Sequence, residues 1–209
     1  DKGQAITTAN RVLCHRVANT LNDLDIKTVV VSCGTCMDQL LKYEFGKIFP
    51  GCRLVDIHEW LMEKGIKLDG ASGTRYMYHE PCHTPMKHHS GIKVANSLMG
   101  QRVDLSDRCC GESGTLAVTR PDVSTQIRFR KQQEIVAGAA ALREGNADAG
   151  VKILTSCPAC LQGLSRYDND ASISADYIVV EMAKAILGPD WMKDYVRAAN
   201  SGGIERVLL

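Results

Sequence analysis

Two segments of the chain, 28–36 and 152–160, align without a gap at an offset of 124 residues. Each contains a short run of β-branched and aliphatic residues and ends in a C-x-x-C pair. The apolar spacing of a helix follows each pair. A buried strand followed directly by a helix is typical of parallel sheets covered by helices on their faces. The repeat therefore predicts an α/β protein, and it favours an internal duplication over two independent uses of a common βα unit.

Similar elements surround both segments. Strands are expected at 28–31 in the first segment and at 151–154 in the second, and a further strand at 53–57 follows the first segment. The helices expected from apolar spacing and end signals are 5–21, 58–63, 122–144, 177–187 and 189–200. This order predicts two Rossmann-like lobes with parallel sheets flanked by helices.

The second copy extends further toward its N-terminal side than the first. Subtracting the offset from Cys82 and Cys109 places their counterparts before residue 1. We therefore expect an N-terminally truncated first lobe in the C-terminal piece of a longer polypeptide. The expected domains are the C-terminal half of a first cysteine-rich repeat at 1–70, a complete second repeat at 71–190, and a terminal helix and tail at 191–209.

Nine cysteines stand out in a composition that is 44% hydrophobic and 23% charged, with a net charge of +1. The balanced charge does not favour a nucleic-acid binder. An odd number of cysteines and the lack of a leading apolar stretch favour a reducing cytoplasm over an extracellular disulfide framework. No run of about 18 apolar residues is present to cross a membrane, so a membrane surface is expected to be reached only through partners.

Five of the cysteines occur at three places, each at or near the end of a predicted strand or the start of a helix. In a parallel sheet such places converge on one edge. Thiolates grouped near helix N-termini suit an iron–sulfur cluster or zinc. Gly111 and Gly114 would let backbone N–H groups approach inorganic sulfide. The five residues, called the second cysteine set below, are Cys82, Cys109, Cys110, Cys157 and Cys160.

The second cysteine set resembles the cysteine-rich CCG domain, which usually occurs as a tandem pair. The resemblance rests on the segment 79–83, on Cys109 and Cys110 followed by Gly111, and on the segment 157–160. It covers residues 75–190 as a full copy and 5–65 as half a copy. The family includes the B subunit of heterodisulfide reductase, the iron–sulfur subunits of glycolate oxidase and anaerobic glycerol-3-phosphate dehydrogenase, and lactate-utilisation proteins.

The resemblance implies that the second cysteine set holds a [4Fe-4S] cluster, which is noncubane in similar proteins. It also implies an electron-transfer domain of an oxidoreductase similar to FAD-linked 2-hydroxyacid dehydrogenases of the glycolate or lactate type. FAD is then expected only elsewhere, and the expected partners are FAD-linked dehydrogenase and ferredoxin-type domains or subunits. The alternatives are thiol–disulfide chemistry at the cluster, as in heterodisulfide reductase, and a structural zinc or metal-free interaction domain. No catalytic residue is assigned.

Cys33 and Cys36, the first cysteine pair, are also candidate metal ligands. Two thiols do not complete a cluster site or a tetrahedral zinc site. The pair is therefore expected to be empty, oxidised to a disulfide or completed by another segment. Cys14 and Cys52 are expected to act as small hydrophobic residues. The weaker titratable candidates are His83, His88 and His89 in a solvated loop, and His58 and Glu59 at a helix start.

Overall fold

The computed structural model describes residues 26–70, 73–112, 115–168 and 172–202, together with four helical positions before residue 26, namely Gln4, Thr8, Val12 and Arg16. Apart from those four positions, the helix expected at 5–21 lies outside the described residues. Cys14, Gly114 and the tail from residue 203 lie outside them as well.

The described strands form two parallel sheets. The smaller sheet pairs β1 (Thr28–Val31) with β2 (Arg53–Asp56). The larger sheet contains β3 (Arg75–His79), β4 (Val103–Ser106), β5 (Val151–Thr155) and β6 (Ser174–Tyr177). Its spatial order is β4-β3-β5-β6, and every pair is parallel. The predicted α/β fold with Rossmann-like parallel sheets is therefore confirmed.

Helices connect and cover these strands. They are α1 (Gly34–Lys42), α2 (Phe45–Ile48), α3 (Ile57–Glu63), α4 (Gly91–Met99), α5 (Leu116–Thr119), α6 (Pro121–Leu142), α7 (Pro158–Leu164), α8 (Ile178–Leu187) and α9 (Trp191–Gly202), with a 3-10 turn at Ser165–Tyr167. Pro121 and Pro158 occupy first turns, where no intrahelical N–H bond is lost. Asp56 caps α3 by accepting the backbone N–H of His58 and Glu59.

The two C-x-x-C segments have the same local backbone. Cys33 (φ −139°, ψ 123°) caps α1 in the extended conformation in which Cys157 (φ −131°, ψ 121°) caps α7. β1 pairs with β2 as β5 pairs with β6, and Asp56 and Tyr177 occupy equivalent last positions of the second strand. Both segments therefore form the strand, C-x-x-C and helix unit that the gapless alignment predicts. The domain limits at 70 and 190 stay a prediction.

The expected boundaries differ from the observed ones by one or two residues, and one strand was missed. The helix expected at 177–187 begins at Ile178, and Tyr177 ends β6, a strand that the sequence analysis did not predict. Among the described strands, β6 lies at the edge of the larger sheet and pairs with β5 alone. Its first two residues are only half-buried, so it lacks the continuous apolar run by which the buried strands are recognised.

Side chains alternate between the two covered faces of the larger sheet. Tyr76 and Tyr78 of β3 pack with residues of α4 and α8 on one face, whereas Met77 packs with residues of α6 and α7 on the other. Leu61 and Met62 of α3 pack against the first of these clusters. α3, the helix that follows the smaller sheet, thus packs against the core of the larger one.

Candidate metal centre

The second cysteine set follows the carboxyl ends of three neighbouring strands. Cys82 follows β3, Cys109 and Cys110 follow β4, and Cys157 and Cys160 lie at the start of α7 after β5. The chain passes from β3 outward to β4 and then returns past β3 to reach β5. This change of direction makes a topological switch point, the usual place for a ligand in an open α/β sheet.

Three thiols form the centre of this site. The sulfurs of Cys110 and Cys160 are 3.4 Å apart, and the Cys157 thiol also contacts that of Cys160. Hydrogen bonding with Cys160 is the largest cause of the lowered pKa of Cys110 and of Cys157. The same contacts, first with Cys110 and then with Cys157, raise the pKa of Cys160. Cys110 and Cys157 are therefore the thiolates of the group, and the thiolate is the form that binds metal.

Backbone N–H groups stabilise the same sulfurs. The N–H of Gly111 donates to Cys109 Sγ at 3.4 Å, in a conformation with φ +78° that a residue with a side chain rarely adopts. The N–H of Glu112 adds to the effect of Cys160 in lowering the pKa of Cys110. Hydrogen bonds of this kind tune the basicity and reduction potential of metal-bound sulfur.

Cys82 lies on an exposed loop, residues 80–89, beside these thiols. Burial raises the pKa of Cys82, and the charges of Cys109 and Cys110 raise it further. All five sulfurs thus lie at one end of the larger sheet. Their role as metal ligands stays a prediction.

His79 also belongs to this site, although it was not among the ligands expected from the sequence. It ends β3, is buried, and has a ring nitrogen within 4.8 Å of the sulfurs of Cys110 and Cys160. Its Nδ1 lies 3.3 Å from the carbonyl oxygen of Ser106, which can only accept, so Nδ1 carries the proton and a neutral ring has its lone pair on Nε2. Alternation along β3 could have found it, because it places His79 on the face of Met77.

The first cysteine pair lies beside the loop that carries Cys82. A Cβ on Gly34 would be 1.7 Å from the carbonyl oxygen of His83, so the backbones of the two segments are in direct contact. Cys36 donates its backbone N–H to Cys33 Sγ at 3.4 Å. A separate hydrogen bond between the two thiols raises the pKa of Cys36. Among the described residues, no His, Cys, Asp or Glu completes a three-ligand group with this pair.

A single hydroxyl joins the two C-x-x-C segments. Tyr177 Oη contacts the carbonyl oxygens of Ser32 and Ser156, the residues that precede Cys33 and Cys157, and its distance to the second is 2.8 Å. The first cysteine pair and the second cysteine set are therefore held side by side by the last residue of β6.

The remaining sequence candidates make structural contacts. Cys52 packs against the cluster of Phe45 and Phe49, in agreement with its expected hydrophobic role. His83 Nδ1 lies 3.0 Å from a carboxylate oxygen of Asp38. Within the described ranges, no helix is both long and apolar enough to cross a membrane.

Glu59 is the exception among these weaker candidates, because it fixes the position of the loop that carries Cys82. Its buried carboxylate accepts the backbone N–H groups of His88 and His89 at 2.7 Å each, and that of Lys87 at 3.3 Å. A side chain of α3, the helix that follows the smaller sheet, thus anchors a loop that follows a strand of the larger sheet.

Two curated relatives are named uncharacterized iron-sulfur proteins. The chain is 25% identical over 173 residues to the protein of Methanocaldococcus jannaschii, which covers 79% of this chain and 33% of the relative. It is 25% identical over 171 residues to that of Methanococcus maripaludis, covering 77% and 32% respectively. The chain therefore spans about a third of the length of these relatives. A family model described as a domain of unknown function (DUF3400) matches residues 165–209. No solved structure matches the chain significantly.

Proposed function

We propose that this chain is an iron–sulfur electron-transfer domain in which the second cysteine set holds one cluster. The observation that carries the proposal is the arrival of five thiols at the carboxyl ends of three adjacent parallel strands, with Cys110 Sγ and Cys160 Sγ 3.4 Å apart. The names of the two relatives support the same class of protein.

The donor set fits such a group. Cys110 and Cys157 have lowered pKa values, chiefly through hydrogen bonding with Cys160, so they bind iron without a large cost for losing a proton. The N–H of Gly111 stabilises negative charge on Cys109. His79 Nε2 is buried and has no partner within the described residues, which leaves it available to a bound group. An iron–sulfur cluster at this place supplies one-electron transfer.

We further propose a [4Fe-4S] cluster, noncubane as in similar CCG proteins, and an oxidoreductase of the FAD-linked 2-hydroxyacid dehydrogenase type as its context. In that context FAD lies in another domain or subunit, and ferredoxin-type domains exchange electrons with this one. The resemblance of the cysteine segments supports this assignment. The reducing cytoplasm is the compartment that suits the eight free cysteines of the described residues.

A structural zinc site is the second candidate, and His79 is the observation that favours it. His79, Cys110 and Cys160 bring their ligand atoms within 4.8 Å of one another. Cys157, which contacts Cys160, would complete a set of three sulfurs and one nitrogen, a frequent ligand set of tetrahedral structural zinc. In this case Cys82 and Cys109 remain outside the metal's coordination.

Anaerobic reconstitution with iron and sulfide separates the two candidates. We expect about four iron atoms per chain, a value typical of a [4Fe-4S] centre. Cys157→Ser should lose this iron, whereas Cys33→Ser, at the equivalent position of the first cysteine pair, should retain it. Stoichiometric zinc without iron uptake would favour the structural site, and equal iron loss in both variants would overturn the assignment to the second cysteine set.

A further inference from the structure

A lysine is buried behind the candidate metal centre. Lys131 lies on the inner stripe of α6 with Ile135 and Ala139, and its side chain is 0% exposed. Lysine is almost never fully buried unless its charge is paired, because the ammonium loses its hydration. Its position therefore calls for a specific set of acceptors.

The acceptors are present and match the ammonium in number. Lys131 Nζ lies 2.6 Å from Ser106 Oγ, 3.1 Å from Ser106 O and 2.7 Å from Glu134 Oε2. An ammonium has three N–H donors and no acceptor, so all three of its hydrogens have partners here. Ser106 Oγ in turn donates to Glu134 Oε2 at 2.8 Å. This arrangement gives each N–H of a charged ammonium an acceptor.

The same serine connects the lysine to the metal centre. Ser106 O, which accepts from Lys131, also accepts from His79 Nδ1 at 3.3 Å. The His79 ring is the buried group beside Cys110 and Cys160. One residue thus separates the ammonium from the group that lines the sulfurs.

Lys131 is the member of the ion pair that acts on the thiols. Burial lowers the pKa of Lys131, and this effect is opposed first by Glu134 and then by the charge of Cys110. Asp107 is a further, weaker counter-charge. The Glu134 side chain is 21% exposed and so has partial access to water, whereas that of Lys131 has none. The field of the pair at the sulfurs is therefore that of the buried cation, reduced by the carboxylate.

We propose that Lys131 is a positioning residue that places a fixed positive charge behind the second cysteine set and thereby raises the reduction potential of the cluster. The inference rests on the proposed function. Reduction adds one electron, so a nearby cation stabilises the reduced form, and burial protects this interaction from screening by salt. Lys131 also orients the Ser106 carbonyl that fixes the tautomer of His79.

Redox titration of the reconstituted protein, followed by visible absorption, tests the proposal with variants of opposite sign. Lys131→Met removes the cation with little change in side-chain length, and we expect a lower midpoint potential. Glu134→Gln removes the opposing carboxylate, and at a mildly acidic pH, which keeps Lys131 protonated without its partner, we expect a higher one. Each shift should exceed a tenfold change in the oxidised-to-reduced ratio at a fixed potential, about 59 mV for a one-electron couple. Lys93→Met, at an exposed position of α4, is the matched control and should leave the potential unchanged.

The outcomes distinguish this inference from the function on which it rests. Wild-type protein that takes up no iron overturns both. Iron-loaded Lys131→Met with a wild-type potential overturns the role of Lys131 alone, as do shifts of the same sign in Lys131→Met and Glu134→Gln. If Lys131→Met does not fold, Glu134→Gln decides, since a raised potential supports the proposal and an unchanged or lowered one overturns it.

Discussion

Replacing Glu59 should loosen the loop that carries Cys82 without disturbing the rest of the sheet. The carboxylate accepts two short bonds, from the N–H groups of His88 and His89 at 2.7 Å, and one long bond from Lys87 at 3.3 Å. It is fully buried, although the loop residues themselves are partly exposed. Glu59→Ala therefore removes the acceptor of three backbone donors that water can only partly replace.

The expected loss follows from the two short bonds. A hydrogen bond to a charged group contributes about 1.5–3 kcal/mol, and the lower end applies where water reaches the donors afterwards. Glu59→Ala should thus lower the free energy of unfolding by about 3–4 kcal/mol. Glu59→Gln retains one carbonyl oxygen for the two short bonds but loses the charge, so about 1–2 kcal/mol is expected. At about 2–4 °C per kcal/mol for a chain of this size, Glu59→Ala should lower the melting temperature by about 10 °C.

Urea denaturation and amide hydrogen exchange test this expectation together. Exchange should accelerate most at residues 87–89, where the three donors lie. Glu63→Ala is the matched control on the same helix, because Glu63 forms a partly exposed ion pair with Arg53 whose loss should cost less than about 1 kcal/mol. The anchoring role would be refuted if Glu59→Ala unfolded at the same urea concentration as Glu63→Ala and if hydrogen exchange at residues 87–89 were unchanged.

Three further perturbations probe the contacts between segments that belong to the smaller and to the larger sheet. Tyr177→Phe removes the hydroxyl shared by two carbonyl groups and should lower the free energy of unfolding by about 1–2 kcal/mol in chemical denaturation; a neutral result would contradict the bridge. Gly34→Ala places a Cβ 1.7 Å from a backbone oxygen of the opposing loop and should cost more than about 2 kcal/mol, whereas Gly46→Ala meets no atom within 4 Å and should be harmless; equal thermal stability of the two would count against the close contact. Lys87 is the main cause of the lowered pKa of Asp38. This carboxylate therefore stabilises the fold above the usual aspartate pKa of about 4, and the stabilisation is lost as the pH falls through the lowered pKa. The stability difference between wild type and Asp38→Asn should therefore be present at neutral pH and vanish in acid, and a difference that grows in acid would contradict this assignment.

Local sequence patterns were enough to predict those strands and helices whose structure depends mainly on residues close together in the chain. β1 and β5 are apolar runs followed at once by a C-x-x-C pair, and α6 has the length and spacing of a long helix with Pro121 in its first turn. The order of these units was enough to predict parallel sheets and the convergence of the second cysteine set on one end. β6 was not predicted from the sequence because an edge strand is covered by fewer neighbours and keeps polar residues.

Residues whose role depends on distant contacts could not be found in this way. Glu59 reads as a favourable charge in the first turn of a helix, and only the folded chain brings the N–H groups of residues 87–89 to it. Lys131 occupies a position on the apolar stripe of α6, but a lysine in a sequence is normally interpreted as exposed. Only the folded chain shows that Ser106 and Glu134 surround its ammonium. To identify His79 as part of the site, one needs both the alternation of side chains along β3 and the position of Cys110, which follows the neighbouring strand β4.

The central claim is that the sulfurs of the second cysteine set bind iron as a cluster. Iron K-edge X-ray absorption of the anaerobically reconstituted protein tests it most directly, because it reports the atoms around iron without depending on a partner or substrate. The account predicts a first shell dominated by sulfur together with a distinct iron–iron scattering path, both lost in Cys157→Ser and both kept in Cys33→Ser. A first shell of nitrogen and oxygen, or iron without an iron neighbour, would contradict it.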